Sequence, residues 1–145
     1  MRDTKLTATL GETPRGTAAQ TFHPWFGLAS LLYMIGIILL SSVPRHPAPR
    51  NTLFEYGLNL IHIPMFAGLT FLLIRTFVPK GRGVGSAGAC LGVALLLVIF
   101  AVFDEWHQSF VPGRSASVVD VLLDMMGIGA VLIFYRLTAL VTEEP

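Results

Sequence analysis

The chain has a single cysteine, Cys90, among its 145 residues. No disulfide and no cysteine-based metal site can form within one chain. Charge is scarce too: Asp, Glu, Lys and Arg make up 13% of the sequence, against about 25% in an ordinary soluble domain. A soluble domain of this size could not cover its surface with so few charges, and a disordered chain would carry more charge and less apolar content. An excess of either sign is also missing. Ten Lys and Arg face nine Asp and Glu, for a net charge of +1, so there is no basic surplus to make a nucleic-acid face. The glycine-rich stretch 79–88 has no strand before it, which removes the context a dinucleotide-binding loop needs. No internal repeat is evident.

What the chain has instead is apolar sequence in blocks: 53% of it is hydrophobic and the mean hydropathy is +0.67. Pro24 to Pro44 and Gly83 to Phe103 are uncharged runs of 21 residues each. Gly57 to Ile74 is an uncharged run of 18, interrupted by His62 and Pro64. Val118 to Leu140 is apolar apart from Asp120, Asp124 and Arg136, which lie toward its two ends. About 20 apolar residues cross the hydrocarbon core as a helix. The expected fold is therefore an all-α membrane protein, a bundle of four transmembrane helices. Its parts are a polar N-terminal tail at 1–23, a four-helix domain at 24–140 and a short C-terminal tail at 141–145. The first apolar block is longer than a signal-peptide core and has no small-x-small cleavage site, so it is expected to be retained.

Positive charge sets the expected orientation. Arg2, Lys5, Arg15, Arg75, Lys80, Arg82 and Arg136 fall on one side of such a bundle, and Arg45, Arg50 and Arg114 on the other. The positive-inside rule places both termini in the cytoplasm and the loops near 44–56 and 104–117 outside. Trp25, Trp106 and Tyr135 fall near helix ends, where interfacial aromatics belong.

With that topology the polar residues converge on the outer end. His62 opens the second helix, Asp104, Glu105, His107 and Gln108 close the third, Arg114 lies in the loop, and Asp120 and Asp124 open the fourth. Asp120 and Asp124 share a face at i, i+4. If the third helix runs past Phe103, Asp104, His107 and Gln108 share another, with Glu105 about a quarter turn away. Pro112-Gly113 reads as a turn that folds Arg114 back toward Asp120 or Asp104, as a structural ion pair. Asp120 also suits the positive end of a helix. Asp124, one turn deeper, is an intramembrane carboxyl and so a functional candidate by default. Gly127 and Gly129 are expected to admit close helix packing. His62, His107 and a carboxylate are plausible metal ligands, but no ligand spacing supports them, so no metal and no cofactor is assigned.

The run Asp104-Glu105-Trp106-His107-Gln108-Ser109-Phe110-Val111-Pro112-Gly113-Arg114, followed by Ser117-Val118-Val119-Asp120-Val121-Leu122-Leu123-Asp124-Met125-Met126-Gly127, resembles the VanZ-like family, which is characterised by D-E-x-x-Q-x-F-x-P-G-R and then D-x-x-x-N-x-x-G. Ser41-Ser42-x-Pro44, and His62 with Phe66, resemble that family's earlier signature. The likeness covers about residues 25–140. The chain departs from the pattern at Leu58 and Asn59, where the family often has Asp-Lys, at Phe66 in place of tyrosine, and at Asp124 in place of asparagine. The resemblance implies a multi-pass protein of a bacterial inner membrane, in a family named for low-level resistance to teicoplanin, and it carries over no catalytic residue. It leaves three roles open. The expected one is a non-enzymatic protein whose outer cluster recognises a lipid, a cell-wall precursor or a lipoglycopeptide. The second is an accessory transmembrane subunit of a larger complex, and the third is a membrane-embedded acid–base enzyme with His107 or His62 as base. The expected partners are membrane lipids and other transmembrane subunits, without nucleic acid.

Overall fold

A computed structural model describes residues 24–45, 59–78 and 87–142. The tail 1–23, much of the first loop and the glycine-rich stretch lie outside the described residues. Four helices follow one another, α1 (Pro24–Ser41), α2 (His62–Phe77), α3 (Ala87–Gln108) and α4 (Val118–Thr142), and no strand occurs among the described residues. α1, α3 and α4 are long and apolar enough to cross a membrane. α2 is shorter, at 16 residues, or about 24 Å at 1.5 Å per residue. The fourth helix runs two residues past the expected end at Leu140, and the third runs past Phe103 as far as Gln108.

Proline sets two of the starts. Pro24 opens α1, and Pro64 sits in the first turn of α2, where its missing N–H costs no helical hydrogen bond. α2 therefore begins at His62, later than the apolar block suggests, and continues to Phe77.

α2 is the inner helix. Its residues His62, Phe66, Leu69, Thr70, Leu73, Ile74 and Thr76 are buried, and it packs on α1, α3 and α4. Phe66 meets Phe100 of α3 with ring centroids 5.9 Å apart. The buried hydroxyl of Thr70 donates to the Phe66 carbonyl at 2.6 Å, which satisfies it inside its own helix. Gly127 of α4 lies against α2 so closely that a Cβ there would overlap the Ile63 carbonyl. Gly129 has nothing within 4 Å of the position a Cβ would take. One of the two expected packing glycines therefore serves that role, because two residues along a helix turn the side chain through about 200°.

The outward faces are apolar: Trp25, Leu39, Ile99, Trp106, Ile133 and Phe134 are exposed. A surface of this kind suits a lipid solvent. Trp25 and Trp106 are exposed near helix ends, whereas Tyr135 is half-buried against the core.

Candidate functional site

The loop that joins α3 to α4 is built by a turn. Arg114 N–H donates to the Val111 carbonyl at 3.1 Å, with Pro112 and Gly113 between them and Gly113 at φ 77°. This is the type II pattern, which places proline second and a positive-φ residue third. A Cβ on Gly113 would overlap the Arg45 carbonyl, and Arg45 N–H donates to the Pro112 carbonyl at 3.2 Å. The turn thus docks on the chain leaving α1.

From that turn Arg114 reaches back, but not to Asp120 or Asp104. Its Nε donates to the Val43 carbonyl at 3.2 Å, Nη2 to the Leu40 carbonyl at 3.0 Å, and Nη1 to Gln108 Oε1 at 3.1 Å. The expected ion pair is replaced by a clamp on the C-terminal end of α1, on the carbonyl of Leu40 in its last turn and that of Val43 two residues past Ser41, where carbonyls lack intrahelical donors. Burial and the neighbouring Arg45 pull the Arg114 pKa below its usual value, with Asp104, Glu105 and Asp120 acting the other way. The guanidinium still stays charged.

Beyond Gln108 the chain of bonds continues inward. Gln108 Nε2 donates to Asp104 Oδ2 at 2.8 Å, and Ser41 Oγ of α1 donates to Asp104 Oδ1 at 2.6 Å. Ser41, Asp104 and Gln108 are all buried. Ser41 was legible only through the Ser41-Ser42-x-Pro44 likeness; nothing in its local pattern marked it as a partner for a carboxyl 63 residues away.

A second set joins α2, α3 and α4. His62 Nδ1 and Asp124 Oδ1 are 2.9 Å apart, and both residues are buried. Glu105 Oε2 accepts the backbone N–H of Ser117 at 2.6 Å, and Ser117 Oγ accepts the N–H of Asp120 at 3.2 Å. Ser117 is therefore the N-cap of α4, with Asp120 three residues on. In a capping box the side chain at that third position reaches back to the N-cap N–H. Here Glu105 takes that N–H, and Asp120 Oδ1 is left buried without a partner.

α3 thus buries two adjacent acids on different faces, Asp104 toward α1 and Glu105 toward α4. A step of about 100° per residue makes this possible. The expected grouping of His107 with Asp104 and Gln108 does not form. Glu105 joins the buried cluster, while His107 is half-buried and outside both sets, its Nδ1 without a hydrogen-bond partner. Six of the eight candidate residues are buried together at one end of the bundle: His62, Asp104, Glu105, Gln108, Asp120 and Asp124. Arg114 closes that end.

A cavity of about 220 Å³ opens beside the cluster. Ser41, His62, Asp104, Gln108, Arg45 and Arg114 supply polar walls, and Ile37, Leu40, Ile61 and Met65 supply apolar ones. Ser109 bonds the Trp106 carbonyl and Ser117 caps α4, so both hydroxyls are engaged locally.

The model of the VanZ/LLP1 family matches residues 12–139. The chain belongs to the VanZ/LLP1 family. Neither a curated protein nor a solved structure matches it. The VanZ/LLP1 match takes in all of the described helices except the last three residues of α4, and so includes the whole polar cluster and its cavity.

Proposed function

We propose that this VanZ/LLP1 protein is a non-enzymatic, multi-pass protein of a bacterial cytoplasmic membrane. Both termini lie inside, and the polar end of the bundle recognises the anionic headgroup of an amphiphile at the outer face. Lipids, lipid-linked cell-wall precursors and lipoglycopeptides share that chemistry, a polar anionic head joined to an apolar tail. The observation that carries the reading is a cavity of mixed lining, with Arg45 and Arg114 beside Ser41, His62, Asp104 and Gln108 among its polar residues, and Ile37, Leu40, Ile61 and Met65 as its apolar ones. Its volume is below the roughly 300–1,000 Å³ of pockets that enclose a whole drug-sized ligand. It has room for a headgroup and the first methylenes, and the rest of the tail lies along the apolar exterior. Three N–H groups of Arg114 are spent on protein acceptors, and a guanidinium has five to offer, so two remain for a ligand.

Native mass spectrometry of the full chain in mild detergent, titrated with phosphatidylglycerol and with phosphatidylcholine, tests this. The expected result is one retained phosphatidylglycerol per chain. In Arg45→Gln its affinity falls about fivefold, and phosphatidylcholine is unaffected. Equal binding of the two lipids, indifferent to Arg45→Gln, contradicts the reading.

A further inference from the structure

The second polar set has a property that headgroup recognition does not use. His62 of α2, Glu105 of α3 and Asp120 of α4 each bring one ligand-type atom to within 4.8 Å of the other two, and all three residues are buried. From these residues we infer that the chain holds a divalent transition-metal ion of the zinc type between α2, α3 and α4.

Four features support the ion independently of the headgroup reading. The first is the donor set, one imidazole and two carboxylates from three helices, which is the ligand chemistry of Zn²⁺ with a position left open. The second is the orphaned Asp120 Oδ1, buried and without a partner in a residue only 8% exposed. Its capping duty has been taken over by Glu105, so Oδ1 is held in the interior with nothing to accept from. The third is the Asp124 carboxylate at 2.9 Å from His62 Nδ1. A carboxylate behind a histidine fixes its tautomer and leaves Nε2 as the metal ligand, the usual outer-shell arrangement at zinc sites. The fourth is charge. Asp104, Glu105, Asp120 and Asp124 are all buried at this end of the bundle, and the Arg114 guanidinium is engaged with Gln108 and the end of α1. A divalent cation balances what one histidine cannot. Ligands at about 2.1 Å from a tetrahedral ion stand about 3.4 Å apart, so side-chain shifts on the order of 1 Å close the set onto a metal.

Sequence spacing could not reveal this site, because its ligands are 43 and 15 residues apart along the chain. It also differs from the combination that histidine counting suggests, since Glu105 stands where His107 was expected.

The test uses untagged, full-length protein in detergent, stripped with chelator and then titrated with Zn²⁺. Bound metal is counted by mass spectrometry, and Co²⁺ is used as a visible-absorption probe. The expected outcome is one Zn²⁺ per chain, an upward shift in melting temperature on addition, and Co²⁺ d–d bands of low-symmetry, histidine-containing coordination. Asp120→Asn and Glu105→Gln should each weaken Zn²⁺ at least tenfold, while His107→Ala, outside the buried cluster, keeps it. If the acid variants do not fold, the wild-type Co²⁺ spectrum decides, and its absence overturns the proposal. So does a preference for Ca²⁺ over Zn²⁺, or zinc binding unchanged in folded Asp120→Asn.

Discussion

Arg114 is the residue whose partners most sharply separate the observed geometry from its rivals. Arg114→Ala removes three hydrogen bonds, two to the exposed end of α1 and one, partly buried, to Gln108. A net hydrogen bond to a charged group contributes about 1.5–3 kcal/mol. Water replaces most of this at the two exposed carbonyls, so the expected loss is about 2 kcal/mol. Gln108→Ala removes the Arg114 contact and also strips Asp104 Oδ2 of its donor at 2.8 Å, so it should cost about 2–3 kcal/mol. The double variant should fall short of the sum by about 1–1.5 kcal/mol, because the pair touches. Arg114 and Asp120 share no bond, and their double variant should be additive within about 0.5 kcal/mol. Unfolding in mixed detergent micelles, followed by far-ultraviolet circular dichroism with chelator present, gives both cycles. A larger coupling for Arg114 with Asp120 than with Gln108 would refute the clamp and restore the ion pair.

Gly127→Leu should prevent accumulation or lower stability by more than about 2 kcal/mol, since its side chain meets the α2 backbone at Ile63. Gly129→Ala, facing open space, should stay within about 0.5 kcal/mol of wild type in the same unfolding measurement. Gly113→Ala forces both a positive φ and an overlap with the Arg45 carbonyl, and should lower stability by at least about 1–2 kcal/mol by melting temperature. Reporter fusions at residue 82 and the C-terminus should read as cytoplasmic, and those near 48 and 113 as external; a cytoplasmic signal at 113 removes the shared outer site.

The helices were legible because long uncharged runs closed by prolines and charges stand out in composition, and three of them are long and apolar enough to cross a membrane. The pairing of polar groups was not. Pro112-Gly113 does turn Arg114 back, but the end of a helix offers carbonyls as well as carboxyls, and those of Leu40 in α1 and Val43 just past it lie more than 70 residues away in sequence. Glu105 was counted in the cluster but put about a quarter turn off the Asp104 face, with no partner named for it. That argument holds for a helix with one partner and fails for α3, which has α1 on one side and α4 on another. The same reasoning put His107 on the Asp104 face, and the two flanking helices leave it half-buried. Asp120 was rightly put at the positive end of α4, but its freedom from capping depends on Glu105 reaching Ser117, a contact no local pattern encodes.

The headgroup reading is tested most directly by photocrosslinking with a phosphatidylglycerol carrying a diazirine on an acyl chain near the glycerol. The account predicts adducts concentrated on the segments holding Ile37 and Leu40 in α1 and Ile61 and Met65 at the start of α2, the apolar wall of the cavity, with competition by unlabelled phosphatidylglycerol but not by phosphatidylcholine. Adducts spread over the outward faces at Leu95, Ile99, Ile133 and Phe134, without competition by either lipid, would contradict it.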